Sequence, residues 1–184
     1  MESLYLVDVG IKLVSEQRAF IECLDAVPKL YEVDLSENPA LKVSEFLMKA
    51  RDVCRNLETL IFADNQNMGQ YSCDAVLDQE RNGIHQLKRL DLEKSLNYPE
   101  NLHFLLQSTA LQSLQYLNLS SCNLNNEYVK DLFNSDLMLT IEYLRLANNK
   151  LTAEALPMKI VSRDKRSRDS EIALKFLDLR YNPI

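Results

Sequence analysis

Apolar residues along this chain recur at spacings that neither a helical period of 3.6 nor a strand period of 2 explains alone. In "LQYLNLSSCNL", residues 114–124, leucines stand at 114, 117, 119 and 124 with Cys122 among them. The same form returns in "IEYLRLANNKL" from 141 and "LKFLDLRYNPI" from 174. Upstream it fits "MESLYLVDVGI" from 1, "LYEVDLSENPA" from 30, "LETLIFADNQN" from 57 and "LKRLDLEKSLN" from 87. Positions 1, 4, 6 and 11 of this eleven-residue template give 28 places over the seven segments, and apolar residues fill 26 of them. With 46% hydrophobic residues in the chain, chance fills about 13. Asn67 and Asn97 are the two exceptions, and both fall at position 11.

The template has a physical reading. Positions 4 and 6 alternate, so they point to one face of a short strand. Strands that recur every 27–33 residues can pair in parallel, and the intervening residues supply the crossover that parallel pairing needs. Candidate crossover helices are "EQRAFIECLDAV", "SEFLMKARDVC", "PENLHFLLQST" and "NEYVKDLF". Three residues before a segment start stand Val27, Cys54, Ile84, Leu111 and Met138, an apolar column expected to pack onto the leucines from the helical side. Position 9 holds Asn38, Asn65, Asn149 and Asn182, with Val9, Ser95 and Cys122 in the other three repeats. An amide there can donate to and accept from backbone groups of its own turn and its neighbour. Cysteine fits the slot as a small, buried, weak donor, so we expect Cys122 to be structural.

The form L-x-x-L-x-L-x-x-(N/C)-x-L, repeated near every 28 residues, resembles the leucine-rich repeat superfamily, and within it the ribonuclease-inhibitor-like class. The resemblance covers essentially the whole chain. It implies an α/β fold: a right-handed solenoid, or horseshoe, of about seven repeats, with a parallel sheet on the concave face and helices on the convex face. We expect one domain over 1–184, a segment of a longer protein, because neither end shows a polar capping element. Residues 157–173 lengthen the last interval. Pro157 should stop a helix begun at "TAEAL", and "SRDKRSRDS" reads as a solvated loop with Ser167 and Ser170 as phosphorylation candidates.

Composition narrows the chemistry. A net charge of −6 argues against a nucleic-acid partner, and no apolar run approaches the length of a membrane span. The N-terminus lacks the pattern of a signal peptide, so we expect reduced thiols and a cytoplasmic or nuclear location. His85 and His103 stand in no metal-binding spacing, and Cys73 with His85 makes no recognisable nucleophile pair. No phosphate-binding or nucleophile-elbow motif is present. We expect no enzyme, no cofactor and no metal.

Template positions 2, 3, 5, 7 and 8 should face outward on the strand side. The first three repeats place Glu2, Asp8, Glu32, Asp34, Glu37, Glu58 and Asp64 there, with no Lys or Arg. The fourth is mixed. The last three carry Tyr116, Tyr143 and Phe176 at position 3, with Tyr181 nearby and Arg145, Lys175 and Arg180 adding positive charge. Gln115, Asn118, Ser120 and Ser121 are expected on the same face. Such a surface suits a protein or peptide with a basic segment, steered by charge and anchored by aromatic and Arg side chains. The expected partner-binding residues are Asp34, Glu37, Glu58, Asp64, Tyr116, Tyr143, Arg145, Phe176, Arg180 and Tyr181. Two alternatives follow from the resemblance. One is a GTPase-activating protein, with Arg145 or Arg180 supplying the arginine. The other is a regulatory repeat segment of an immune-receptor or actin-regulatory protein.

Overall fold

A computed structural model describes residues 3–10, 30–39, 55–65, 84–157 and 172–184. Each of the seven segments contributes one three-residue strand: β1 (Ser3–Tyr5), β2 (Glu32–Asp34), β3 (Thr59–Ile61), β4 (Arg89–Asp91), β5 (Tyr116–Asn118), β6 (Tyr143–Arg145) and β7 (Phe176–Asp178). They form one parallel sheet in chain order. The register aligns the template position for position, so that Leu90, Leu117, Leu144 and Leu177 lie side by side at position 4.

The pairing extends beyond the strands. The carbonyl of position 2 accepts two N–H groups from the next repeat, as Lys88 does from Gln115 and Tyr116. Further along, the N–H groups of positions 6 and 8 donate to positions 5 and 7 of the next repeat, as Leu92 and Lys94 do to Asn118 and Ser120. Position 8 takes left-handed backbone in all seven repeats: Asp8, Glu37, Asp64, Lys94, Ser121, Asn148 and Tyr181, with φ between 51° and 60°. Asp and Asn tolerate this region; Glu37 and Lys94 occupy it at a cost of about 1 kcal/mol, offset by the cross-repeat bond their N–H makes.

Behind the sheet runs one continuous core. Leu90, Leu92, Leu117, Leu119, Leu144 and Leu146 pack with Leu102 and Leu105 of α1 (Leu102–Gln107) and with Val129 and Leu132 of α2 (Asn126–Asn134). Asn125 starts α2 by accepting from the N–H groups of Glu127 and Tyr128, and Glu127 adds a favourable charge to the first turn. The expected helix over 99–109 is a 3-10 turn (Pro99–Asn101), α1, and a second 3-10 turn (Thr109–Leu111). Before Pro157 only a 3-10 turn forms (Ala153–Ala155), because proline drives Leu156 into extended backbone. Of the expected apolar column, Ile84, Leu111 and Met138 are buried; Val27 and Cys54 lie outside the described residues. So do the two upstream candidate helices, and residues 158–171 with Ser167 and Ser170. Residues equivalent to fully buried core leucines are only partly buried in the end repeats, at Leu4, Leu6, Leu177 and Leu179. Each repeat thus completes its burial on a neighbour.

The slot at position 9 stitches these repeats together. In six successive repeats its side chain donates to the carbonyl of position 6 in the preceding repeat: Asn38 to Leu6, Asn65 to Leu35, Ser95 to Phe62, Cys122 to Leu92, Asn149 to Leu119, and Asn182 to Leu146. In return, Oδ1 of Asn65, Asn149 and Asn182 accepts the position-9 N–H of the preceding repeat, as Oγ of Ser95 does. Cysteine is the poor acceptor in this series. Opposite Cys122, the N–H of Ser95 turns back onto Leu92 of its own repeat. In that turn Leu96, at position 10, enters the core where Asn97 broke the template. The departure at Asn97 is therefore a one-residue shift of the apolar side chain.

Two predictions test this stitching. Asn149 satisfies the N–H groups of Cys122 and Leu124 and three carbonyls. Asn149→Ala should lower unfolding stability by about 2–4 kcal/mol in urea titration, and Asn149→Ser by less, since Ser95 fills the same slot. Burial pushes the Cys122 thiol up to about 11 from 9.0. It should resist a thiol reagent at pH 8 until the protein unfolds. The neutral buried thiol contributes stability below pH 9 that is lost as pH rises through about 11, a step that Cys122→Ser should lack.

Candidate functional site

The sheet presents positions 3 and 5 on the side opposite the core, and the turns present positions 7 and 8 beside them. The structure corrects the outward reading of position 5 at three residues, while Arg145 at the same position stays exposed. Asp91, Asn118 and Asp178 are buried. Asp34, Asp91, Asn118 and Asp178 each accept the N–H of the residue two positions on, at Ser36, Glu93, Ser120 and Arg180. These short polar side chains close the turn that leads out of the strand. Asn118 and Ser120, expected to face a partner, are buried for this reason. The recurrence of Asp and Asn at position 5 was visible in the sequence and was the available signal.

Charge is also redistributed. Lys88 and Lys94 of the fourth repeat reach back to Glu58 at 2.9 Å and Asp64 at 3.3 Å. Two of the expected acidic anchors are thus paired with lysine. Glu32 accepts the Tyr5 hydroxyl at 2.6 Å, a contact that raises the tyrosine's pKa. Glu37 is exposed, and Asp34 keeps Oδ2 free of any partner among the described residues. Asp34, Glu37, Asp64 and Glu93 surround a depression of about 330 Å³ on this edge, with Lys94 as its one cation and Val7 and Ala63 as apolar lining.

At the other end, Lys175 pairs with Glu142 at 2.8 Å, and the Arg180 guanidinium holds Asp178 through Nε and Nη2 at 2.9 and 2.7 Å. That contact keeps the Asp178 carboxyl below its ordinary pKa. Arg145 is exposed and forms no ion pair among the described residues. The register sets Tyr116, Tyr143 and Phe176 side by side, but their rings do not form one stack. Tyr143 and Phe176 meet at 6.3 Å, while Tyr116 lies under the Arg89 guanidinium at 4.2 Å and near that of Arg145 at 5.9 Å. Tyr116 is half-buried, and burial raises its pKa. Tyr143 and Phe176 remain 44% and 43% exposed, and Tyr181 80%, so this end of the face offers apolar area, as Tyr5 and Val7 do at the other end.

The opposite side carries a second depression, of about 370 Å³, between α1 and α2. Phe104, Leu106 and Tyr128 line it, with Glu100 and Asp131 at hand. Asn101 beside it is fully buried with its amide unpaired. Among the described residues, no group of His, Cys, Asp and Glu is placed to hold a metal ion, and no helix is long and apolar enough to cross a membrane.

Residues 110–127, which contain β5 and its slot Cys122, match the family model of the leucine-rich repeat. Comparison with curated proteins gives no match. Leucine-rich repeat domains are in general protein-interaction modules. One matched repeat sits in a sheet whose other six strands carry the same template in the same register, and the chain has the leucine-rich repeat architecture.

Proposed function

We propose that this chain is a non-catalytic protein-interaction module that binds a protein or peptide on the exposed, concave face of its sheet. The observation that carries the reading is the pair Tyr143 and Phe176. Two large rings lie in contact on adjacent strands and stay nearly half exposed, and next to them Arg145 forms no ion pair among the described residues. A sheet face that needed only solubility would place polar side chains there, as Ser3, Glu32 and Thr59 do at the same template position. Aromatic and Arg side chains with exposed apolar area are the residues from which interface anchors are built. Reaction chemistry has no comparable support, since the residues drawn together on this face are carboxylates, lysines, arginines and rings without a nucleophile–base pair.

The test uses the partner recovered from the native source. Tyr143→Thr and Phe176→Thr borrow a residue that Thr59 shows to be compatible with position 3. The double variant should retain the wild-type unfolding midpoint to within a few degrees and bind the partner at least tenfold more weakly. Undiminished binding by a folded double variant refutes the assignment of this face.

A further inference from the structure

The two features of the face are separated in a way that specifies a ligand. Resting on the interaction reading above, we infer that the occupant is an extended peptide segment with a basic side chain at one end and an apolar, preferably aromatic, side chain about seven residues away. The depression at the turn edge gathers Asp34, Glu37, Asp64 and Glu93 around one ammonium, that of Lys94, a formal surplus of three negative charges. Among the described residues no metal-holding group is formed, so this surplus is complementary to a cationic side chain. The small apolar residues Val7 and Ala63 suit the aliphatic stem of Lys or Arg. At the other end, Tyr143 and Phe176 offer apolar area, with Arg145 beside them to repel a second basic residue.

Register gives the distance. The depression centres between the second and third repeats at positions 7 and 8, and the ring pair lies between the sixth and seventh at position 3. Four strand spacings are about 19 Å, and four to five residues along the strands add about 15 Å at right angles. The diagonal is therefore about 24 Å, which an extended chain covers in about seven residues. The path crosses Asp91 and Asn118, whose side chains are buried, so neither stands up in its way. A helix would need about sixteen residues for the same span.

Selection from a library of random twelve-residue peptides displayed on phage tests this directly, because a twelve-residue helix is only about 18 Å long. Wild-type protein should enrich peptides that pair Lys or Arg with an aromatic or large aliphatic residue six to eight positions apart. Synthetic consensus peptide, followed by fluorescence anisotropy, should lose at least tenfold in affinity to Glu37→Lys, a substitution that Lys94 shows the left-handed position 8 to accept. It should lose as much to Tyr143→Thr with Phe176→Thr, and substituting the peptide's basic residue should cost little further in Glu37→Lys. Enriched peptides that lose affinity to the ring variant but carry no spaced basic residue overturn this inference and leave the interaction face standing. Enriched peptides indifferent to both variants, or no enrichment on protein shown folded by circular dichroism, overturn both.

Discussion

Six carbonyls at position 6, from Leu6 to Leu146, lie at the exit of the strand where the chain turns away from its neighbour, and each takes a hydrogen bond from the position-9 side chain of the next repeat. A buried carbonyl left bare at that point costs on the order of 1–3 kcal/mol. The strands are only three residues long, so the side-chain bonds at position 9 add to the backbone bonds that flank each strand in holding register. Asn meets the need in both directions because it donates and accepts. Ser95 does so with one hydroxyl, and Cys122 donates to Leu92 while its sulfur is a weak acceptor; opposite it the N–H of Ser95 bonds Leu92 and Leu96 is buried.

From that constraint the exposed face follows. Identical register in all seven strands stacks equal template positions, so side chains at position 3 form a column whatever their chemistry. Short polar residues at position 5 are drawn into the turn at Asp34, Asp91, Asn118 and Asp178, while Tyr5 and Arg145 at the same position stay exposed. Neighbouring repeats then neutralise part of the charge with their own counter-ions: Glu58 with Lys88, Asp64 with Lys94, Glu142 with Lys175. Exposed pairs of this kind add little stability. Their consequence is electrostatic: among the described residues Asp34, Glu37 and Glu93 at one end and Arg145 at the other form no ion pair.

Much of this was legible from residue spacing, because the core requirement is strict. An apolar side chain missing at position 4 or 6 leaves a cavity in a shared interior, so those positions are apolar in every repeat. The role of Cys122 was legible for the same reason: a slot filled elsewhere by Asn is defined by its backbone. Side-chain pairing across repeats was not legible. Whether Lys88 reaches Glu58, or Arg89 covers Tyr116, depends on rotamers that periodicity does not encode. Asn118 and Ser120 were misplaced outward because outward register was equated with exposure. Their hydrogen bond to one another withdraws them.

Native-state hydrogen exchange of the position-9 amides measures the stitching where it acts. The N–H groups of Asn38, Asn65, Cys122 and Asn149 donate to side chains of the following repeat, and no strand bond protects them. They should exchange as slowly as the strand-flanking amides of Leu92 and Leu119, through openings that separate repeats. Exchange of these four amides at the rate of freely solvated loops, with Leu92 and Leu119 still protected, would contradict the account.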